Sequence, residues 1–236
     1  MSKKGANKKS KALSSAKAIH VNKKEKTWIV KTRAGPHKEE LAVPLAIILR
    51  DYLHLAENLS EAKKILSRGE VKVNGVIRKE HQYGAGLFDL IEIEKQKLSH
   101  RIVLDQNGRL KLKELPKKSS EKMCRVEHKH VTAKGAQLTT NDGRVIFGTE
   151  AKVGDSLKLR LPEGKVEKVL PLKAGAQIYV MKGIHCAEKG TVKELVPATQ
   201  TREKLVKFMK NGKEYETVAR NAFVIGEKEV EMEELK

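Results

Sequence analysis

Cysteine is nearly absent from this sequence: Cys124 and Cys186 are the only two in 236 residues, and neither belongs to a C-x-x-C arrangement. Counting alone leaves open a disulfide, or half of a zinc site completed by two histidines. Two buried free thiols in a reducing cytosol are the expectation. Aromatic residues make up only 4% of the chain. That scarcity argues against base stacking on a sheet surface and favours recognition of phosphates and RNA shape. No stretch approaches 18 apolar residues and no basic amphipathic helix of useful length occurs, so membrane binding is not expected. The first twenty residues lack the apolar core of a secretory leader. A G-x-G-x-x-G cofactor loop is missing too, and Gly84-Ala-Gly86 precedes a strand, which is the wrong context for one. Acid is also short, with 30 Asp and Glu against 49 Lys and Arg, a net charge of +19. So one-sided an excess is the footprint of a polyanionic partner.

The excess is concentrated at the start. Residues 1–38 hold twelve Lys and Arg against one acid, Glu25, which is +11 of the total. Lys3, Lys4, Lys8, Lys9, Lys11 and Lys17 alternate with Ser, Ala, Gly and Asn around a lone Leu13. Such a segment cannot bury enough surface to fold alone, and it is expected to order against phosphates. Lys23, Lys24 and Arg33 continue the run, and Trp28-Ile29-Val30 reads as a short strand whose Trp anchors the tail. Ala34-Gly35-Pro36-His37-Lys38 is then a rigid turn, in which His37 and Lys38 could meet a phosphate or ribose.

Residues 42–79 organise the rest. Pro44 suits a first helical turn, and Leu45, Ile48, Leu49 and Tyr52 share one apolar face. Ser60 is a good N-cap for a second helix with Ala62, Ile65 and Leu66 buried, stopped by Gly69. Lys64 and Arg68, four apart, share the opposite face. Val71-Lys72-Val73, Asn74-Gly75 and Val76-Ile77-Arg78 then spell a hairpin, since both turn positions need positive φ. Arg50, Lys63, Lys64, Arg68, Lys72 and Arg78 are expected around the solvent side of this platform.

Beyond it, Leu87–Ile93 reads as one strand, and from Leu98 short alternating segments with turns every eight to twelve residues suggest a small barrel. Asp142 and Asp155 sit where Asp favours turn geometry, so a catalytic carboxylate pair is not read from them. In residues 174–195 two strands flank a loop bounded by Gly183 and Gly190 and lined by Lys182, His185 and Lys189. His185 beside Cys186 has no third ligand or orienting acid nearby, so loop and core roles are preferred over metal or nucleophilic ones. Residues 227–236 are mostly Glu and are expected to fray.

Helix, capped helix with Ala62-x-x-Ile65-Leu66, then Arg68-Gly-x-Val71-x-Val73-Asn-Gly75 resembles the αL RNA-binding domain of bacterial small-subunit ribosomal protein four. Gly35-Pro-His-Lys38 ahead of a Pro-Leu helix, Arg101 opening a strand, Lys122-Met-Cys-Arg-Val126 and Asp142-Gly-Arg144 are similar to the e-type family of small-subunit ribosomal protein four. That family occurs in archaea and eukaryotes, and the compact central region sides with archaeal members. Asn141 stands where a His is usual before Asp-Gly-Arg. Residues 174–195 resemble the KOW element of SH3-like barrels, and Arg220–Gly226 is similar to the family's closing strand.

The resemblance implies a modular α+β, mostly β chain. Its parts would be a basic extension (1–41), an αL domain (42–97), a central β domain (98–172), a KOW barrel (173–226) and an acidic tail (227–236). It implies a structural constituent of the cytoplasmic small ribosomal subunit that binds small-subunit rRNA and neighbouring ribosomal proteins. No cofactor, metal, catalysis or homo-oligomer is expected, and Arg144 joins the expected RNA contacts. Two other readings are an RNA-modifying enzyme targeted by the αL domain and a transcription factor built on the KOW barrel. The first lacks room for a pseudouridine synthase domain and lacks a methyltransferase loop; the second fits the αL domain and basic tail poorly.

Overall fold

Short apolar runs separated by turn residues become short strands, and in the computed structural model three five-stranded sheets dominate over a few helical turns. The structure describes residues 10–96, 98–115, 119–132, 135–227, 229–232 and 235.

The basic extension enters as β1 (Ser10–Lys11), paired antiparallel with β2 (Trp28–Ile29). Trp28 does not anchor it by burial, being 55% exposed; its buried apolar residues are Ala12, Ala18 and Ile19. The Tyr52 hydroxyl accepts a bond from the His20 backbone N–H at 2.9 Å, which ties the extension to the body. Burial of that phenol raises its pKa to about 12.

β3 (Ala42–Pro44) then leads into α1 (Leu45–Ile47), which continues as a π-helical turn, Ile48–Tyr52. α2 (Leu59–Ser67) starts two residues earlier than a Ser60 cap would require. Asn58 is the cap: its Oδ1 accepts from Glu61 N–H at 3.0 Å, while Glu61 reaches back to the Glu57 N–H at 2.8 Å. A carboxylate three residues after a capping Asn satisfies the helix's free donors from both sides, and that outweighs Ser60. Gly69, at φ 76°, ends the helix as expected. β4 (Val71–Val73) and β5 (Val76–Ile77) form the hairpin, with Asn74 and Gly75 at φ 53° and 77°.

Leu87–Ile93 is not one strand. β6 (Gly84–Gly86) pairs with β3, and only β7 (Leu90–Ile93) follows, because Phe88 turns the chain at φ 63°. β8 (Leu98–Leu104) and β9 (Leu110–Glu114) extend the first sheet in the order β5-β4-β7-β8-β9. The strands after Leu98 thus add to the sheet of the preceding region instead of starting the next one. Register explains it: Leu90 to Ile93 face Arg101 to Leu98 across a tight reversal.

β10 (Glu121–Thr132), β11 (Gly135–Thr140), β12 (Val145–Phe147), β13 (Ser156–Arg160) and β14 (Lys165–Leu170) form the second sheet, ordered β12-β11-β10-β13-β14. β15 (Gln177–Val180), β16 (Lys189–Val196), β17 (Leu205–Lys210), β18 (Lys213–Val218) and β19 (Ala222–Gly226) form the third, ordered β18-β17-β16-β15-β19. The first and third sheets share one core, in which Phe88 packs edge-on to Phe223 at 4.8 Å and against Tyr179 at 5.7 Å. The second has its own small core around Cys124, Val126, Leu138 and Leu157. Both cysteines are buried and free.

The acidic end folds back in part. Met232 and Leu235 are buried against the shared core, and Glu231 N–H donates to the Ile225 carbonyl at 3.0 Å. Two apolar residues among the glutamates suffice to dock it. Gly190 is closely packed. A Cβ there would lie 2.5 Å from Phe208 Cδ2 and 2.7 Å from the Met209 carbonyl oxygen. Gly190→Ala is therefore expected to destabilise the chain by about 1–3 kcal/mol in urea unfolding, with overpacking as the cause.

Candidate RNA interface

On α2 the exposed face carries Lys63, Lys64 and Arg68, while Ala62 and Leu66 are buried beneath. Among the described residues Lys63 and Lys64 have no carboxylate within ion-pair distance, and Arg68 has only Glu70 at 3.9 Å. The rest of the expected platform is less free. Arg50 is held by both oxygens of Asp51, with Nη2 at 2.7 Å, and Lys72 is paired with Glu94. Arg78 lies over the Tyr83 ring, 4.7 Å from its centroid.

In the extension Lys11, Lys17, Lys24 and Lys38 are exposed, whereas Lys23 donates to the Ser15 carbonyl at 3.4 Å. Arg33 is exposed and only 3.7 Å from Glu80. Lys3, Lys4, Lys8 and Lys9 lie outside the described residues. In the third sheet Lys182 and Ile184 are exposed at the loop tip, Ile184 by 96%. His185 points back, 4.5 Å from the Tyr215 ring and 3.1 Å from Glu188 Oε2. Lys189 donates to the Leu235 carbonyl, and its pKa is lowered by burial and by Lys113 nearby. Both side chains are thus engaged within the chain, and His185 does have an acid beside it, Glu188, which the spacing in sequence does not place there.

His37 is not an exposed contact. It is buried, and its Nε2 sits 2.8 Å from Asp89 Oδ2. Asp89 also accepts from the Gly86 N–H and the Asn74 amide, both at 2.9 Å, while Asn74 Oδ1 accepts from the Leu90 N–H. On its other side lies Lys122, 2.7 Å from Asp89 Oδ1 and 2.7 Å from Asp142 Oδ2. Asp142 then engages Arg144 Nε at 3.1 Å, the Thr140 hydroxyl at 2.5 Å and the Cys124 thiol at 3.4 Å. Asp142 does serve its turn, its Oδ1 accepting from the Arg144 N–H at 3.4 Å, but it is also part of a buried charge cluster. Asp155 does keep to its turn, accepting from the Lys152 and Leu172 N–H groups. Asn141, in place of the usual His, accepts from the Arg125 N–H at 2.9 Å.

Burial penalises every charge in this cluster, and the charges offset one another. Burial alone would raise the Asp142 carboxyl, but Lys122 foremost, with Thr140 and Arg144, holds it at about 2. Asp89 is likewise held well below its ordinary value against its burial, by Lys122 and His37. Lys122 is raised above its ordinary value, because Asp89, Cys124 and Asp142 outweigh its burial. In the sequence Lys122 stands out only as part of the Lys122-Met-Cys-Arg-Val126 motif. A lysine in an apolar strand beside Met123 and Cys124 was the available sign of an inward charge.

Two outcomes follow for stability. Lys122→Met leaves two buried carboxylates facing each other and is expected to cost about 3–5 kcal/mol. Lys64→Gln on the exposed face should stay within about 0.5 kcal/mol. Both folded carboxyl pKa values lie below the ordinary 3.8. The stability they contribute is thus present above about pH 4 and lost as pH falls below it, that of Asp142 through about 2. Thermal unfolding followed between pH 5 and 2 should show that loss, and Asp142→Asn should reduce it.

Among the described residues no group of three or more His, Cys, Asp or Glu could hold a metal ion, and no helix is long and apolar enough to cross a membrane. With this arrangement in view, comparison with known proteins is specific. The family described as Ribosomal family S4e matches residues 96–166. Small ribosomal subunit protein eS4 of Archaeoglobus fulgidus is 35% identical over 221 residues, 93% of each chain. That of Methanosphaera stadtmanae is 36% identical, covering 96% of this chain and 95% of the relative. The crystal structure of 30S ribosomal protein S4e from Thermoplasma acidophilum superposes with a TM-score of 0.69 at 32% identity. It covers 79% of this chain and 95% of that one. The chain belongs to ribosomal family S4e.

Proposed function

We propose that the chain is a structural constituent of the cytoplasmic small ribosomal subunit, holding small-subunit rRNA by phosphate and shape contacts and performing no chemistry of its own. The observation that carries this is the exposed cationic face of α2, where Lys63 and Lys64 have no carboxylate among the described residues and Arg68 has only Glu70 at 3.9 Å, beside an extension with twelve Lys and Arg in 38 residues. Cations without a local carboxylate can release counterions from phosphates, whereas those already paired within the chain gain less. The capped helix, its Gly69 stop and the Asn74-Gly75 hairpin support reading residues from 42 onward as an αL-type module. β15 and β16, with the loop Gly183–Gly190 between them, support a KOW-type barrel at the end. The second sheet between them is the central module. The extension follows rRNA crevices, and neighbouring ribosomal proteins cover exposed apolar side chains such as Ile184 and Phe147.

Two measurements test this. The endogenous protein should sediment with small subunits at near-equal stoichiometry. Purified chain should bind small-subunit rRNA with a log–log salt slope of roughly 0.7–0.9 for each neutralised phosphate. Changing Lys63, Lys64 and Arg68 to Gln should reduce that slope by about 2–3 and weaken binding to all sequences alike. Binding that does not respond to salt, or protein found free of ribosomes, would overturn the assignment.

A further inference from the structure

A cleft of about 420 Å³ opens at the seam between the β4–β5 hairpin, the Gly35-Pro36 turn and the Asn141–Arg144 turn of the second sheet. The buried cluster forms its floor through Lys122 and Asp142, and Val76, Arg78, Tyr83 and Arg144 line it. Its volume falls within the range of small-ligand clefts, roughly 300–1,000 Å³. It is built from both sides. The hairpin turn is seated so closely that a Cβ on Gly75 would lie 3.0 Å from Pro162 Cβ. On the opposite wall Arg144 is held by Asp142 through Nε, and a Cβ on Gly164 would come within 2.8 Å of its Nη1.

The charges at this cleft do not balance. Lys122 is already shared between Asp89 and Asp142, and Arg144 also leans on Asp142. Arg78 makes no ion pair among the described residues, and its Nε is buried without a hydrogen-bond partner. An uncompensated guanidinium with a buried unmet donor calls for an anion. Its seat over the Tyr83 ring, 4.7 Å from the centroid, holds the guanidinium at the cleft, where a phosphate would meet a charge-assisted donor. Val76 is an exposed apolar side chain at the same rim, suited to cover a base or sugar and out of place beside bulk water.

We propose that this cleft receives one unpaired nucleotide of RNA, its phosphate on Arg78 and Arg144 and its base against the Val76 and Arg78–Tyr83 wall. The inference rests on the RNA-binding reading above and adds a discrete site to it. Splayed single nucleotides taken against aromatic rings and guanidinium planes are the usual form of specific RNA recognition, whereas continuous duplex offers only its shape. An extended acidic peptide would satisfy Arg78 but has no use for a nucleotide-sized recess.

The test uses the full chain and in-vitro transcribed small-subunit rRNA. Val76→Trp fills the cleft without altering charge, so it should weaken binding roughly tenfold or more while leaving the salt slope unchanged. Arg78→Gln should weaken it as well and lower the slope by about one. A benzoyl-phenylalanine crosslinker at position 76 should mark one unpaired nucleotide. Val76→Trp binding like wild type at an unchanged melting temperature overturns the proposal. If that variant melts early, Arg78→Gln decides, and wild-type binding by it is equally fatal. Crosslinks scattered along duplex, or competition by inorganic phosphate or AMP as effective as that by RNA, overturn it too, pointing to a general surface, an anion site or a free-nucleotide site. In each of these cases salt-dependent binding by the wild-type chain leaves the ribosomal reading standing; loss of that binding removes both.

Discussion

Lys122 is an ammonium group with almost no access to water, and the surrounding structure must answer its charge. The two carboxylates that do so come from different parts of the chain: Asp89 from the turn before β7, Asp142 from the turn between β11 and β12. His37, from the Gly-Pro turn of the extension, closes the far side of Asp89. Removing water from a charge is costly unless partners replace it in good geometry. Three segments distant in sequence are thereby required to meet at one place. A rotation of the second sheet against the first would strand at least one charge, so the cluster sets their mutual placement. Through Asp142 it also aims Arg144 at the rim of the cleft.

The same logic sorts the cations of a chain with net charge +19. Those near carboxylates serve the fold: Lys122 within the cluster, Lys72 with Glu94, Arg50 with Asp51. Those left over are free to meet a polyanion. Lys63 and Lys64 on α2 and Lys17, Lys24 and Lys38 of the extension belong to the second group and are exposed. Total charge alone therefore overstates the interface, because part of it is consumed inside the molecule. Placement matters as much as amount: a helix surface presents three cations at regular spacing, while a loop such as that carrying His185 turns its ring inward onto Tyr215.

What could be read from residues in order was whatever a few neighbours decide. Asn74-Gly75 requires positive φ at both positions whatever packs around it, and the hairpin stands where it was expected. Gly69 ends its helix for the same local reason, and the apolar spacing of Ala62 and Leu66 oriented α2 and so exposed Lys63, Lys64 and Arg68. The membership in an e-type ribosomal family was legible as well, since its motifs occur in order along the chain. Even at this level competition between adjacent signals was missed: Asn58 with Glu61 makes a better cap than Ser60.

Only tertiary structure decided which polar residues turn inward. His37 in a Gly-Pro turn and Asp142 in an Asp-Gly turn look like surface residues, because nothing within several positions of either reveals that Lys122 lies above them. Trp28, read as an anchor, stays exposed while Ala18 and Ile19 are buried. The glutamate-rich end docks by Met232 and Leu235 onto a core assembled from strands far upstream. β8 and β9 joined the first sheet because edge pairing with β7 was available in space. Backbone conformation answers to nearest neighbours, whereas burial and charge pairing answer to whatever the fold brings alongside. Sequence alone therefore determined turns, helix faces and the basic surface, and the long-range packing determined which charges hold the molecule together and which remain at the surface.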